Sequence, residues 1–105
     1  MKNNPLLEQS LNFATQIIKL QKFLLKEKKE TIISKQIIRS ATSIGANINE
    51  ANYSSSKPDF ISKLHISLKE CAETEYWLRL LEKTEYIDEK YFNELLVECL
   101  SIKKC

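Results

Sequence analysis

Residues Gln36–Tyr53, QIIRSATSIGANINEANY, decide the fold. Their apolar positions recur every three or four residues, not every second one, which is the period of a helix. At about 100° per residue, Ile33, Ile37, Ser40, Ala41, Ile44, Ile48 and Ala51 share one face. Arg39, Ser43 and Glu50 gather on another, with Asn47 at the boundary between them. The apolar face mixes isoleucine with the small residues Ser40, Ala41 and Gly45. Small side chains let a neighbouring helix come close. Glycine inside a helix costs about 1 kcal/mol against alanine, so close packing or a local bend is expected at Gly45.

The rest of the chain continues in the same period. Asn4-Pro5 is a helix start, with a capping amide followed by a proline whose missing N–H is not needed there. Two apolar rows follow. One is Leu7, Leu11, Ala14, Ile18, Gln21 and Leu25; the other is Leu6, Phe13, Ile17, Leu20 and Leu24. One row would serve a core, so a second implies a helix covered on two sides and a subunit interface. Phe13, Ile17, Leu20 and Leu24 are assigned to that interface, together with Ile66, Trp77 and Leu80 further on. Lys26–Glu30 is a charged connection, and the second helix is expected over about 31–53. Ser54-Ser55-Ser56 ends it, and Ser56 with Asp59 opens a third helix over about 57–84. Glu75 falls on the apolar side of that helix and needs a partner, with Arg79 or Arg39 as candidates. Asp88 caps a fourth helix, and Ile87 with Phe92 forms a hydrophobic staple. Lys103 and Lys104 suit its C-terminal end. Short connections make successive helices antiparallel. The expected architecture is therefore all-α, a single up-down-up-down four-helix bundle over residues 1–105.

Composition supports this and limits the chemistry. One glycine and two prolines in 105 residues leave few breakers for a turn-rich β-fold. Such a length can bury a core without metal or disulfide. Net charge is only +2, but residues 1–50 carry eight Lys/Arg against four Asp/Glu, and residues 51–105 carry eight against ten. That asymmetry suits an anionic partner or contact between subunits. Cys71, Cys99 and Cys105 form an odd set with no C-x-x-C spacing. With no secretory signal and no apolar run near ~18 residues, reduced thiols in a cytoplasmic, non-membrane protein are expected.

No catalytic or cofactor motif emerges. A di-iron carboxylate bundle needs two Glu-x-x-His motifs, and the single histidine, His65, has Ser62 where the motif wants Glu. Cys71 lies on the core row, where a thiol is expected to be inert. Gly45 lies within a helix, so no glycine-rich phosphate loop exists. The expectation is no enzyme, no cofactor, no metal and no small-molecule substrate.

Two polar groups remain. Arg39, Ser43, Asn47 and Glu50 are either a recognition patch or a network tying the second helix to Glu70, Glu73 or Glu75 of the third; the structural role is favoured. Lys19, Lys22, Lys26, Lys28, Lys29 and Lys35 are either a nucleic-acid contact or a solvated face interrupted by Glu27 and Glu30.

Arg39–Ala51, RSATSIGANINEA, resembles the signature of the 23S rRNA intervening-sequence proteins, also labelled S23 ribosomal proteins, which runs approximately R-A-A-x-S-I-P-x-N-I-A-E-G. Arg39, Ala41, Ser43, Ile44, Asn47, Ile48 and Glu50 match. Gly45 stands where relatives often carry proline, Asn49 replaces alanine and Ala51 replaces glycine. Ser67–Glu70, SLKE, and Glu73–Leu81, ETEYWLRLL, resemble the third helix of the shorter members. The resemblance covers about half the chain and implies a small bacterial four-helix bundle. Relatives form five-subunit rings, and one branch, the accessory proteins of diversity-generating retroelements, binds RNA and a reverse transcriptase. It therefore implies a homo-oligomeric assembly or adaptor module, with RNA or an RNA-binding protein as partner. A protein-interaction scaffold that binds no nucleic acid is the competing expectation.

Overall fold

The computed structural model describes residues 4–104. Four helices follow in order: α1 (Pro5–Lys26), α2 (Ile32–Ala51), α3 (Lys57–Lys83) and α4 (Glu89–Lys104). There is no strand among the described residues. Each helix packs on two neighbours, most extensively α2 on α3 and least extensively α1 on α4, and the diagonal pairs do not approach. The result is an up-down-up-down bundle 44 Å long and about 20 Å across. Its long axis is set by α3, whose 27 residues span about 40 Å.

Local chemistry sets the helix ends. Asn4 Oδ1 accepts the Leu7 N–H at 3.1 Å, with Pro5 at the first helical position. Ser56 Oγ accepts the Asp59 N–H at 3.2 Å. Asp88 Oδ1 accepts the Tyr91 N–H at 2.8 Å, while Ile87 and Phe92 are both buried against the core. The start of α2 is made differently. Thr31 makes no side-chain cap; Glu30 does, its carboxylate accepting the backbone N–H groups of Ile32, Ile33 and Ser34 at 2.8–3.1 Å. Three of the orphan donors of a helix N-terminus meet one negative charge there. Glu30, expected to interrupt the lysine run in solvent, is thus a buried cap. Lys29 in the α1–α2 turn and Glu85 in the α3–α4 turn take left-handed backbone with φ of 55° and 66°. At the α3–α4 turn the Tyr86 N–H closes onto the Leu81 carbonyl in the manner of a Schellman motif.

The core runs along the bundle axis through Phe13, Ile17, Leu20 and Leu24 of α1, Ile37, Ala41, Ile44 and Ile48 of α2, Cys71, Leu78 and Leu81 of α3, and Leu95, Cys99 and Ile102 of α4. This reverses the expected assignment of the α1 rows. Phe13, Ile17, Leu20 and Leu24, placed at a subunit interface on sequence grounds, are wholly buried within the chain. The exposed row is the other one: Leu11 is 51 % exposed, Ile18 39 % and Leu25 41 %, with Leu7, Ala14 and Gln21 half-buried between them. The packing at Gly45 explains the rotation. A Cβ at Gly45 would lie 2.9 Å from Ser10 Oγ and 3.4 Å from Ser10 Cβ. The Ser10 side chain can seat this close to α2 only where no Cβ stands in its way, and with Ser10 turned to α2 the Phe13–Leu24 row faces the axis. Helix α2 itself runs unbroken through Gly45, so the glycine serves close packing.

On α3, Ile66 is exposed while Trp77 and Leu80 are half-buried. Cys105 lies outside the described residues.

Candidate functional site

The signature stretch lies along the seam between α2 and α3, and its residues separate into an inner and an outer layer. The inner layer is small and polar. Thr74 Oγ1 lies 2.8 Å from both Ser40 Oγ and the Glu70 carbonyl, with all of Ser40 and Thr74 buried. One helical turn or two away, buried Ser67 donates to the Ile44 carbonyl at 2.9 Å. Small hydroxyl residues let the backbones approach, and each buried hydroxyl finds an acceptor, as burial requires. The sequence reading took Ser40 as merely small and did not single out Ser67 or Thr74, whose partners lie 23 and 34 residues away.

The outer layer carries charge. Arg39 donates to Glu73 and lies 3.5 Å from Glu70 Oε1. The Trp77 indole N–H donates to the same Glu73 oxygen at 3.0 Å, and the ring meets Tyr76 edge-on at 5.0 Å. The Arg39 bond, then the Trp77 bond, hold the Glu73 carboxyl below its ordinary value. Glu70 Oε1 is buried and makes no hydrogen bond among the described residues, and the long ion pair to Arg39 offsets its charge. The Arg39 guanidinium is itself half exposed, and its ion pairs are worth correspondingly little in stability.

The five residues singled out from sequence do not make one continuous network. Arg39 and Glu70 are joined, with Glu73 and Trp77 completing their cluster. The half-buried Asn47 donates to the Ser43 carbonyl of its own helix at 2.8 Å. Glu50 pairs separately with Lys63 of α3 at 3.2 Å. The spacing is the reason: 39, 43, 47 and 50 ascend one flank of α2, so Arg39 and Glu50 meet α3 at different turns. Glu75 lies on the other flank of α3 and pairs with Arg79 at 3.0 Å and with Lys103 of α4 at 3.6 Å.

The six lysines are all exposed, and none forms an ion pair among the described residues. Lys28 Nζ stands 5.7 Å over the Phe23 ring. The α1–α2 and α3–α4 turns share one end of the bundle. A surface cavity of about 700 Å³ there is lined by Phe23 and Lys28 together with Glu82, Glu85, Tyr86, Asp88 and Glu89. The basic side of that end therefore adjoins an acidic side. No group of three or more His, Cys, Asp or Glu among the described residues could hold a metal ion, and no described helix is long and apolar enough to cross a membrane.

Comparison with known proteins agrees with these features. A crystal structure of a protein of unknown function from the S23 ribosomal protein family of Bacteroides thetaiotaomicron VPI-5482 superposes with a TM-score of 0.93 at 52 % identity, covering 94 % of this chain and 92 % of that one. None of the curated proteins matches. The family model for the 23S rRNA-intervening sequence protein matches residues 2–105, and with the shared bundle this makes the chain a member of the 23S rRNA intervening-sequence protein family.

Proposed function

We propose that this protein is a non-catalytic assembly module whose copies associate through α1, and whose neighbouring lysines contact RNA. One observation carries the reading. Leu7, Leu11, Ala14, Ile18, Gln21 and Leu25 follow one another at spacings of four and three, the repeat of a helix–helix seam. Leu11, Ile18 and Leu25 remain exposed after the bundle has closed. Single exposed leucines are ordinary; a row at seven-residue intervals along one helix is a surface for another helix. A second copy supplies the same row, and a ring of five, as among relatives, repeats it. Lys22 and Lys26 lie beside the row on α1, so association would multiply the basic surface, and phosphate contacts add with each subunit.

A scaffold that binds no nucleic acid is the second reading, favoured by Glu82, Glu85, Asp88 and Glu89 at the same bundle end as Lys28. Light scattering on the purified protein, read with its ultraviolet absorbance ratio, tests both. The assembly reading expects a mass several times that of one chain, and a monomer overturns it. RNA binding expects affinity for single-stranded RNA whose logarithm falls with log salt at ~0.7 per phosphate engaged. Absence of binding at low salt leaves the scaffold.

A further inference from the structure

Neither the seam nor the lysines uses the pair of thiols between α3 and α4. Cys71 and Cys99 are both reduced and buried. They are 28 residues apart and meet only because α3 and α4 run antiparallel, Cys99 Sγ lying 3.5 Å from the Cys71 carbonyl oxygen. They are not equivalent. A cavity of about 270 Å³ opens at the end of the bundle where α1 starts and α4 finishes, lined by Ile48, Leu64, His65, Leu68, Lys103 and Cys71 among others. Cys71 is part of its wall and Cys99 is not.

We propose that Cys71 and Cys99 form a peroxide-reactive dithiol, in which Cys71 meets a small hydroperoxide in this cavity and Cys99 resolves it to a disulfide joining α3 to α4. A water molecule occupies about 30 Å³ of liquid, so the cavity has room for hydrogen peroxide or a small organic hydroperoxide. Charge favours the same order of events. The neighbouring Cys99 thiol, and then the Lys103 ammonium, pull the Cys71 thiol below its ordinary value against burial and the Glu70 carboxylate. Cys99 is pushed up by the neighbouring Cys71 thiol and by burial, with Glu75 adding to the effect and Lys103 opposing it. The thiolate is the nucleophile, and of the two residues it is Cys71, whose thiol is pulled down, that lines the cavity.

The chemistry balances with the hydroperoxide as sole oxidant. The Cys71 thiolate attacks the terminal peroxide oxygen. The O–O bond breaks, the departing oxygen leaves as alcohol or water after taking a proton, and Cys71 becomes a sulfenic acid. Cys99 then attacks the Cys71 sulfur. An S–S bond forms, the S–O bond breaks, and the hydroxyl leaves as water with the Cys99 proton. Two thiols lose two electrons and one peroxide gains them.

The test uses the full chain carrying Cys105→Ser, so that intermolecular chemistry at Cys105 does not enter. Folded protein is treated with hydrogen peroxide, blocked with N-ethylmaleimide in urea and digested without reductant. A cross-linked peptide joining Cys71 to Cys99, with both free thiols lost, is expected. A Cys99→Ser variant should trap a dimedone adduct on Cys71, and a Cys71→Ser variant should leave Cys99 unreacted at the same dose. Both thiols remaining free at a dose that oxidises glutathione overturns the proposal. So does a cross-link that forms only in unfolded protein, or a dimedone adduct on Cys99. The mapping of the Cys105→Ser protein decides the matter even if either serine variant fails to fold.

Discussion

Replacing Gly45 by alanine sets two effects of known sign against each other. Alanine is favoured over glycine inside a helix by about 1 kcal/mol, and Gly45 lies well within α2. Against this, the new methyl would lie 2.9 Å from Ser10 Oγ. Ser10 is buried, and its hydroxyl is committed to the Leu7 carbonyl at 2.7 Å. Moving that hydroxyl forfeits a buried hydrogen bond, at roughly 1–3 kcal/mol, or separates α1 from α2, at a similar cost. The expected sum is a destabilisation of about 1 kcal/mol. Truncating Ser10 removes the nearest atom and leaves Cβ at 3.4 Å, a tight contact that small shifts relieve. In a Ser10→Ala background, Gly45→Ala should therefore stabilise the chain by several tenths of a kcal/mol. Urea unfolding of the four proteins, followed by circular dichroism at one protein concentration, closes the cycle. A coupling of roughly 1–2 kcal/mol is expected. Additive effects, or a stabilising Gly45→Ala in the Ser10 protein, would refute the claim that this contact sets the distance and rotation of α1.

Four further outcomes follow from the structure. Glu30→Ala should lower stability by about 1–2 kcal/mol, the scale of losing a helix cap, although the residue sits in a charged loop; an unchanged urea midpoint would contradict its role at the start of α2. Glu73 titrates below its ordinary 4.5 in the folded chain, so its contribution is complete above the unfolded value and is lost as pH falls through the folded one. Because Trp77 donates to the same carboxylate, Trp77 emission should change with a midpoint below 4.5 and lose that transition in Glu73→Gln; a midpoint at or above the ordinary value would count against the pairing with Arg39. Ile17→Ala should cost about 2–5 kcal/mol, since Ile17 is wholly buried. Its neighbour Ile18→Glu should leave the helical spectrum intact and lower the mass seen by light scattering; an unchanged mass would remove the α1 row from the assembly surface.

Asn4-Pro5, Ser56 with Asp59, and Asp88 announce three helix starts from within a few residues of chain, because a cap is a contact between near neighbours. Glu30 was less visible: a glutamate reaching forward to three N–H groups looks, in sequence, like one more charge in a charged loop. The α2–α3 cluster was legible only in outline. Arg39 was marked as a residue needing a carboxylate, but Glu70, Glu73 and Glu75 were equal candidates until the angular position of α3 separated them. The Ser67 and Thr74 hydroxyls gave no signal, because a polar residue on a long helix is usually solvated and only a neighbouring helix makes it buried.

Sequence by itself determined four antiparallel helices and their approximate limits, because periodicity and capping act over one or two turns; at Gly45 it left close packing and a local bend open, and the unbroken α2 chose the first. The bundle decided which of two largely apolar rows on α1 would be core. A helical period gives the angle between Phe13–Leu24 and Leu11–Leu25 but not the rotation of the helix about its own axis. That rotation is chosen by packing across helices, here by Ser10 seated on the bare backbone of Gly45.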